Sequence, residues 1–391
     1  MKTIHFYIYN AFPEGMAAAR RQLCYAKGLI AEGNVVDVNV CHKLEDEDRG
    51  VPSVGNVDGI PFRYISGRVK QKNKLLRGLD YKILDFFRMY RYAYKNIHKG
   101  DVVFCYFYGM ICHLIMIFIA HVKGAKVVRE VCEYPYVFEK QNFKTKILRY
   151  AELNFIYPLY DGFIPISKNL EKLVLCHKAS NAKSVLIPIL VDGERKSTKC
   201  KPLIKYPYIL HTGTMLEQKD SISIILKAFA EFKKKDKNNV RLVFTGPQAN
   251  NHCQYLKMID DLSISNYVDL LGIVSNEEIV TLQNFASLSI VYKSDNLQTR
   301  NCFPTKLGEM LYAGVPVITT PVGDANLYLK DKFSAFIVKV GDIDELADTI
   351  LFAFENPKLC REIGLKGKKV AETEFNPYLQ GKRLSQFYNS L

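Results

Sequence analysis

Residues 300–320 read RNCFPTKLGEMLYAGVPVITT. Polar residues give way to a Phe-Pro pair, then to TKLGEMLYAG ending at Gly314, then to the apolar VPVITT. Phe303-Pro304 predicts a rigid turn before the helix, since proline suits a helix start, where its missing N–H costs nothing. Glycine is the usual residue just past a helix end. A short β-branched run without alternation fits a strand buried on both faces. The stretch therefore predicts a helix followed by a buried strand, with Leu307, Met310 and Leu311 facing inward. One acid, Glu309, lies a turn in from Thr305. A carboxylate there is stabilised by the helix dipole, and it can also accept from two neighbouring hydroxyls such as those of a ribose.

The same unit recurs in both directions along the chain. Upstream, YPYILHTG, VRLVFTG, VDLLG and LSIVYK read as strands separated by helical spacing in SISIILKAFAEFKKK and NEEIVTLQNFA. Further back, TIHFYIYN, VVDVNVC, DVVFCYFY, KVVREV, GFIPIS and SVLIPILV read as strands, with a helix from AAARRQLCYAKGLIAEG ending at Gly33. Strands alternating with helices imply parallel sheets covered on both faces. A chain of 391 residues exceeds one ordinary core, which predicts two Rossmann-type α/β domains. The expected division is 1–195 and 196–375, with the polar, basic 191–202 as hinge and a terminal helix at about 376–391 packing back on the first domain.

Composition narrows the function. The apolar fraction of 48% and charged fraction of 24% are those of a soluble globular protein. The longest apolar run, Met110 to Val122, is too short to span a bilayer and reads as a buried core helix. Ten cysteines lie scattered without a C-x-x-C pair, as expected of reduced thiols in the cytoplasm rather than a disulfide frame or metal site. The net charge is +14, and residues 1–200 hold 31 Lys and Arg against 19 Asp and Glu. That lopsided field suits an anionic substrate, an anionic lipid surface or nucleic acid, or is simply a solvated face. No nucleic-acid motif accompanies it, and G-x-G-x-x-G is absent after the first strand, which argues against a nicotinamide or flavin enzyme.

In open parallel sheets ligands bind beyond the carboxyl ends of the strands, and two facing sheets share a cleft. The first strand leads into NAFPEGMAAARR, where small residues leave a helix start accessible. In the second half HTGTMLEQKDS sets Gly213 at a strand end and Lys219 just before a helix, where a lysine can meet a diphosphate. Backbone at Ile273 and Val274 is placed to pair with a base edge. Glu133 and Glu130 follow a buried strand; they either hold a ligand or pair with Arg129 or Arg149. His211 reads as a satisfied core histidine.

GTMLEQKD, LLGIVSNEEI and NCFPTKLGEMLYAGVPVITTPVGD, with AFIVKVGDIDELADTI downstream, resemble the donor half of family 4 retaining glycosyltransferases of the GT-B fold. PEGMAAARRQLCYAKGLIAEGNVVDV, YDGFIPISKNLEKLV and VLIPILVD resemble the acceptor half. The resemblance implies transfer of a sugar from a UDP- or GDP-linked donor to a hydroxyl acceptor, with retained anomeric configuration, no metal and no cofactor. It implies that Glu309 holds the ribose and that Lys219 neutralises the diphosphate. The segment Phe303, Pro304, Thr305 and Lys306 would cradle sugar and phosphate. Gly15 and Met16 would lie beside the diphosphate and acceptor, and Glu133 would hold a sugar.

Two positions depart from the family pattern. Asn301 stands where an earlier glutamate is usual, and Thr214 where an arginine commonly follows Gly213. Diphosphate stabilisation then rests on Lys219, helped by Arg300 or Lys306. The expected acceptor is a glycan or lipid-linked glycan, in surface polysaccharide or glycolipid synthesis. Residues 70–100 mix Lys and Arg with Phe and Tyr, which suits attachment to the inner membrane face, unless Phe86, Phe87 and Tyr90 simply face the core. A GT-B-like epimerase or phosphorylase and a non-enzymatic binder of nucleic acid are the competing functions.

Overall fold

The computed structural model describes residues 2–391 apart from 16, 49, 51, 108, 194–200 and 248–251, with backbone alone at Tyr81 and Lys82. Most of the hinge expected at 191–202 lies outside the described residues, as does Met16. The chain divides into two compact units, Met1–Pro188 with Pro377–Leu391, and Ile189–Asn376.

The first unit is built on β1 (Thr3–Ile8), β2 (Val35–Val40), β3 (Val54–Val57), β4 (Ile60–Tyr64), β5 (Val102–Tyr106), β6 (Lys126–Val131), β7 (Gly162–Pro165) and β8 (Lys183–Ser184). Their order across the sheet is β3-β4-β2-β1-β5-β6-β7-β8. Neighbours run parallel, Ile4 lying opposite both Val36 and Val102, except for the antiparallel hairpin β3–β4. That hairpin departs from the all-parallel expectation. The strand expected at 184–191 is reduced to Lys183–Ser184, although Val185 and Ile187 still donate to Phe163 and Pro165 of β7. Strand order reverses between β1 and β5, so the sheet has its switch point at their carboxyl ends.

Helix Ala17–Ala31 packs against the last helix, Pro377–Ser390. The two backbones nearly touch, since a Cβ on Gly28 would stand 2.2 Å from the Pro377 carbonyl oxygen and one on Gly381 2.4 Å from Gly28 Cα. Only glycine permits that approach. Helix Met110–Val122 corrects the expectation of a buried core helix. Cys112, His113, Met116, Ile117, Ile119 and Ala120 are buried, but Ile111, Leu114, Phe118 and Val122 are exposed, with Phe118 at 59%. The core-facing reading of the 70–100 segment fails likewise at Phe87 and Tyr90, which are exposed, whereas Phe86 rests edge-on to His42.

The second unit carries β9 (Tyr208–Thr212), β10 (Arg241–Thr245), β11 (Val268–Leu270), β12 (Leu288–Val291), β13 (Val317–Thr319) and β14 (Phe336–Ile337). All pair parallel in the order β11-β10-β9-β12-β13-β14. The switch point falls between β9 and β12. Ile225, Leu226, Phe229 and Phe232 of helix Ile222–Lys233 cover the sheet, in one core cluster with Leu242, Phe244 and Ile290.

Candidate functional site

At the carboxyl end of β9 the chain passes through Gly213 into a tight turn. Met215 (φ 53°) and Ser221 (φ 45°) both take the left-handed conformation and bracket the short helix Glu217–Asp220 that carries Lys219. Such non-glycine positions cost about 1–3 kcal/mol each and persist where the surroundings over-determine them. The surroundings here are specific. Ser294 and Asn296 bond the Gln218 carbonyl, and the Ser294 amide donates to the Lys219 carbonyl at 3.3 Å. Lys219 is therefore tied to the loop that follows β12 and opens helix Leu297–Asn301.

β10 ends at Gly246 (φ +137°), where a Cβ would fall 1.8 Å from the Gly213 carbonyl oxygen. The Gly246 amide donates to Gly272 at 2.8 Å, fixing the exit of β11 and, beyond it, the exposed Ile273 and half-buried Val274. Ser275 then caps helix Asn276–Phe285 with a reciprocal Ser-Glu capping box. Buried Gln283 of that helix donates to Glu309 Oε2 at 3.3 Å, and Lys306 Nζ donates to the same oxygen at 2.9 Å. Gly213 and Lys219 thus follow β9, Ile273 and Val274 follow β11, and Lys306 and Glu309 meet Gln283 on helix Thr305–Tyr312.

Helix Thr305–Tyr312 begins as the sequence predicts and buries Leu307, Met310 and Leu311. Pro304 is the extended residue just ahead of it (φ −71°, ψ 116°), the rigid turn before the helix that the sequence predicts, and it offers no side-chain cap. Phe303 is buried, stacked on Tyr328 at 5.3 Å and edge-on to Phe375 at 5.5 Å, so only its backbone can face a ligand.

The two family departures have local roles. Asn301 is buried and donates to the Leu297 carbonyl at 2.7 Å inside its own helix. Thr214 is half-buried beside Gly213. Arg300 forms a bidentate pair with Asp295 at the surface.

One part of this site escaped the sequence. Lys293, just past β12, is buried and pairs with buried Asp220, directly at the switch point. Burial pushes the Asp220 carboxyl up, but Lys293 and His211 more than offset this and hold it below the usual range. His211 donates from Nδ1–H to the Ile290 carbonyl, 3.0 Å away, and burial lowers its pKa. It is a core histidine, as read.

In the first unit Gly15 is exposed on its loop, and a Cβ there would meet Ala19 Cβ at 2.7 Å. Glu133 is half-buried after β6. Glu130 is fully buried and accepts from Arg21 Nε at 2.7 Å, while Arg21 also bonds the Ile187 and Pro188 carbonyls. The pairings expected with Arg129 and Arg149 are replaced: Arg129 pairs with Glu152, and Arg149 bonds Pro135 and Gln141. Glu130 is thereby a structural acid.

Residues 195–370 match the family model described as glycosyl transferases group 1. Over 148 residues the chain is 28% identical to EpsD of Bacillus subtilis (strain 168), a protein named as a glycosyltransferase; the match covers 38% of this chain and 36% of EpsD. The chain thus spans little more than a third of that relative's length. Two solved structures are similar over all of this chain. Sucrose-phosphate synthase from Thermosynechococcus elongatus is 14% identical with a TM-score of 0.74 and 99% of its own chain covered. HepE from Anabaena, solved with UDP and glucose, is 14% identical with a TM-score of 0.73 and 100% covered. The likeness shows the GT-B fold, and the matched domain supports a glycosyltransferase.

Proposed function

We propose that this protein is a retaining hexosyltransferase (EC 2.4) of family 4, without metal or cofactor. It moves a sugar from a UDP- or GDP-linked donor to a hydroxyl of a glycan or lipid-linked glycan, in surface polysaccharide or glycolipid synthesis. The observation that carries the reading is in the second unit: a helix that starts at Thr305 behind the rigid Pro304, Glu309 oriented by Lys306 and Gln283, and Lys219 on a doubly strained turn. The UDP and UDP-glucose complexes of HepE support a nucleotide-sugar donor.

In this reading Glu309 accepts from the ribose hydroxyls and Lys219 faces the diphosphate. As the bond from the anomeric carbon to the diphosphate oxygen breaks, negative charge grows on the leaving phosphate. A fixed cation and the first amides of the 305–312 helix stabilise that charge without reorganising. The acceptor oxygen then bonds the anomeric carbon on the same face and passes its proton to the departing phosphate. Glu133 and the Gly15 loop are assigned to acceptor or sugar contacts in the first unit.

The protein is also placed at the cytoplasmic face of an anionic membrane. Among the described residues no helix is long and apolar enough to cross one. The support is the open apolar stripe Ile111, Leu114, Phe118 and Val122, with Phe87 and Tyr94 on the preceding helix and Lys123 over the Tyr94 ring at 4.5 Å. Thermal stabilisation by UDP and GDP, with wild type and Glu309→Gln, tests the donor reading. A ligand that binds only the folded state must raise Tm, so no shift with any nucleotide would sink it.

A further inference from the structure

A pocket of about 490 Å³ opens in the first unit beyond the carboxyl ends of β1 and β2, lined by Tyr9 and His42 at its base. That volume lies in the range of small-ligand sites. Its roof is the short helix Lys74–Leu79, which Asn73 caps and which buries none of its own residues. Lys74, Arg77 and Gly78 line the pocket, spaced three and four apart on one helix face, while Leu75 (85% exposed) and Leu76 turn to solvent. A Cβ on Gly78 would meet nothing within 4 Å, so the space beneath the roof is open.

The charges around this pocket do not cancel. Its two carboxylates are Asp80 and Asp85, brought to one side by the π-helical turn Asp80–Leu84, whose closing bond runs from the Asp85 amide to the Asp80 carbonyl. A wider turn of this kind aligns residues five apart, which an α-helix would splay. Both acids are already engaged. Asp80 accepts from Lys43 at 2.6 Å and Arg88 at 3.0 Å; Asp85 meets Arg88 at 3.1 Å and His42 Nδ1 at 3.1 Å. The Asp80 carboxyl is held below its usual range, Lys43 being the main cause. Lys70, Lys74 and Arg77 complete the set: Arg77 Nε donates to the Gln71 carbonyl at 2.8 Å, and the exposed Asp46 lies between Lys70 (3.2 Å) and Arg77 (3.9 Å) as the one acid facing them among the described pairs. Among the described lysines, arginines and carboxylates, Lys43, Lys70, Lys74, Arg77 and Arg88 face Asp46, Asp80 and Asp85, five cations against three acids.

We propose that this pocket binds the phosphate ester of a phosphorylated acceptor, held by Lys70, Lys74 and Arg77. A phosphate monoester carries about −1.5 to −2 charge, which matches the surplus, and a guanidinium meets its oxygens in pairs. The identity of the ligand as acceptor rests on the transferase reading; the phosphate site itself does not. The ester comes from a soluble sugar phosphate or from a lipid phosphate, and the outward leucines of the roof fit the second source.

The test uses the full chain, with glycerol 1-phosphate titrated into wild type, Lys74→Ala/Arg77→Ala and Lys70→Ala, followed by calorimetry. The substituted side chains come from a helix with no buried residue and from a partly exposed lysine, so folding should survive, which far-UV circular dichroism checks. Wild type should bind in a salt-sensitive manner, and each cation removed should weaken binding about tenfold, the factor worth about 1.4 kcal/mol. UDP binding, measured in parallel, should stay unchanged in these variants. Phosphatidylcholine vesicles with and without phosphatidic acid form the second arm. Variant-sensitive binding to either probe supports the site, and the probe preferred names the source. Binding that is equal in wild type and all variants, or absent with both probes, overturns the proposal. If UDP fails to bind while the phosphate site behaves as expected, it is the donor reading that falls.

Discussion

Helix Ile222–Lys233 of the second unit and helix Met110–Val122 of the first do the same job, covering a parallel sheet, yet they meet solvent differently. The former buries Ile222, Ile225, Leu226, Ala228, Phe229, Ala230 and Phe232 and turns Lys227 outward. The latter buries a comparable inner face but sends Ile111, Leu114, Phe118 and Val122 out as well. An amphipathic helix is finished once it sits on its sheet; one that is apolar all round is not. A contiguous exposed apolar stripe marks a surface with a further contact to make. The second unit concentrates its cost in a strained, charged rim, whereas the first concentrates it on an open face and a basic pocket.

The largest effect expected is on the buried pair at the second unit's switch point. Lys293→Met leaves Asp220 buried without its main partner, which should cost about 3 kcal/mol. Hydrogen exchange resolved by unit should show the loss in the second unit alone, and an equal loss in both would break the contrast. Next, Lys219→Ala should lower kcat by about 10²–10³-fold, the size of removing one fixed donor at a developing charge. Its effect on KM should be small, and steady-state kinetics with the donor that stabilises wild type would reveal it.

A smaller effect concerns pH. Unfolded, the His211 imidazole takes up a proton near pH 6.5; folded, burial lowers its pKa. The unfolded state therefore binds more protons below that value, so the stability contributed is full above about pH 6.5 and declines as pH falls, by at most about 1.4 kcal/mol per pH unit. Urea unfolding at pH 7.5 and 5.5 should show this slope in wild type and a shallower one in His211→Gln. In the first unit burial likewise keeps His113 low, but Asp37 and Asp101 overcome burial to raise His5, so the two oppose. The smallest effect should be Phe118→Ser, within about 0.5 kcal/mol in stability. Vesicle flotation should nonetheless drop, and flotation unchanged by it and independent of anionic lipid would remove the membrane assignment.

The strands were legible because buried parallel strands are apolar runs, and thirteen of residues 110–122 read correctly as one helix for the same reason. What periodicity does not carry is whether anything lies outside the helix, so Phe118 was read as core. The placement of Lys219 just past β9 and of Glu309 on the helix behind Phe303-Pro304 was legible because both sit beside glycine and proline punctuation. Lys293 was missed because its meaning lies in Asp220, far away in sequence and meeting it only when β9 and β12 become neighbours. The helix start behind Phe303-Pro304 was legible because proline rigidifies the residue ahead of a helix. The π-helical turn at Asp80–Leu84 left no sequence signal that was read.

The contact between Gly28 and Gly381 has a consequence for the order in which the protein matures. During synthesis the second unit, continuous in sequence from Ile189 to Asn376, emerges whole and can settle as soon as it leaves the ribosome. The first unit begins earlier but must wait, because the outer face of its helix 17–31 is covered only when residues 377–391 arrive. The part of the chain made first is the last to be completed, and in the interval the Gly28 face of that helix stands bare in the nascent protein.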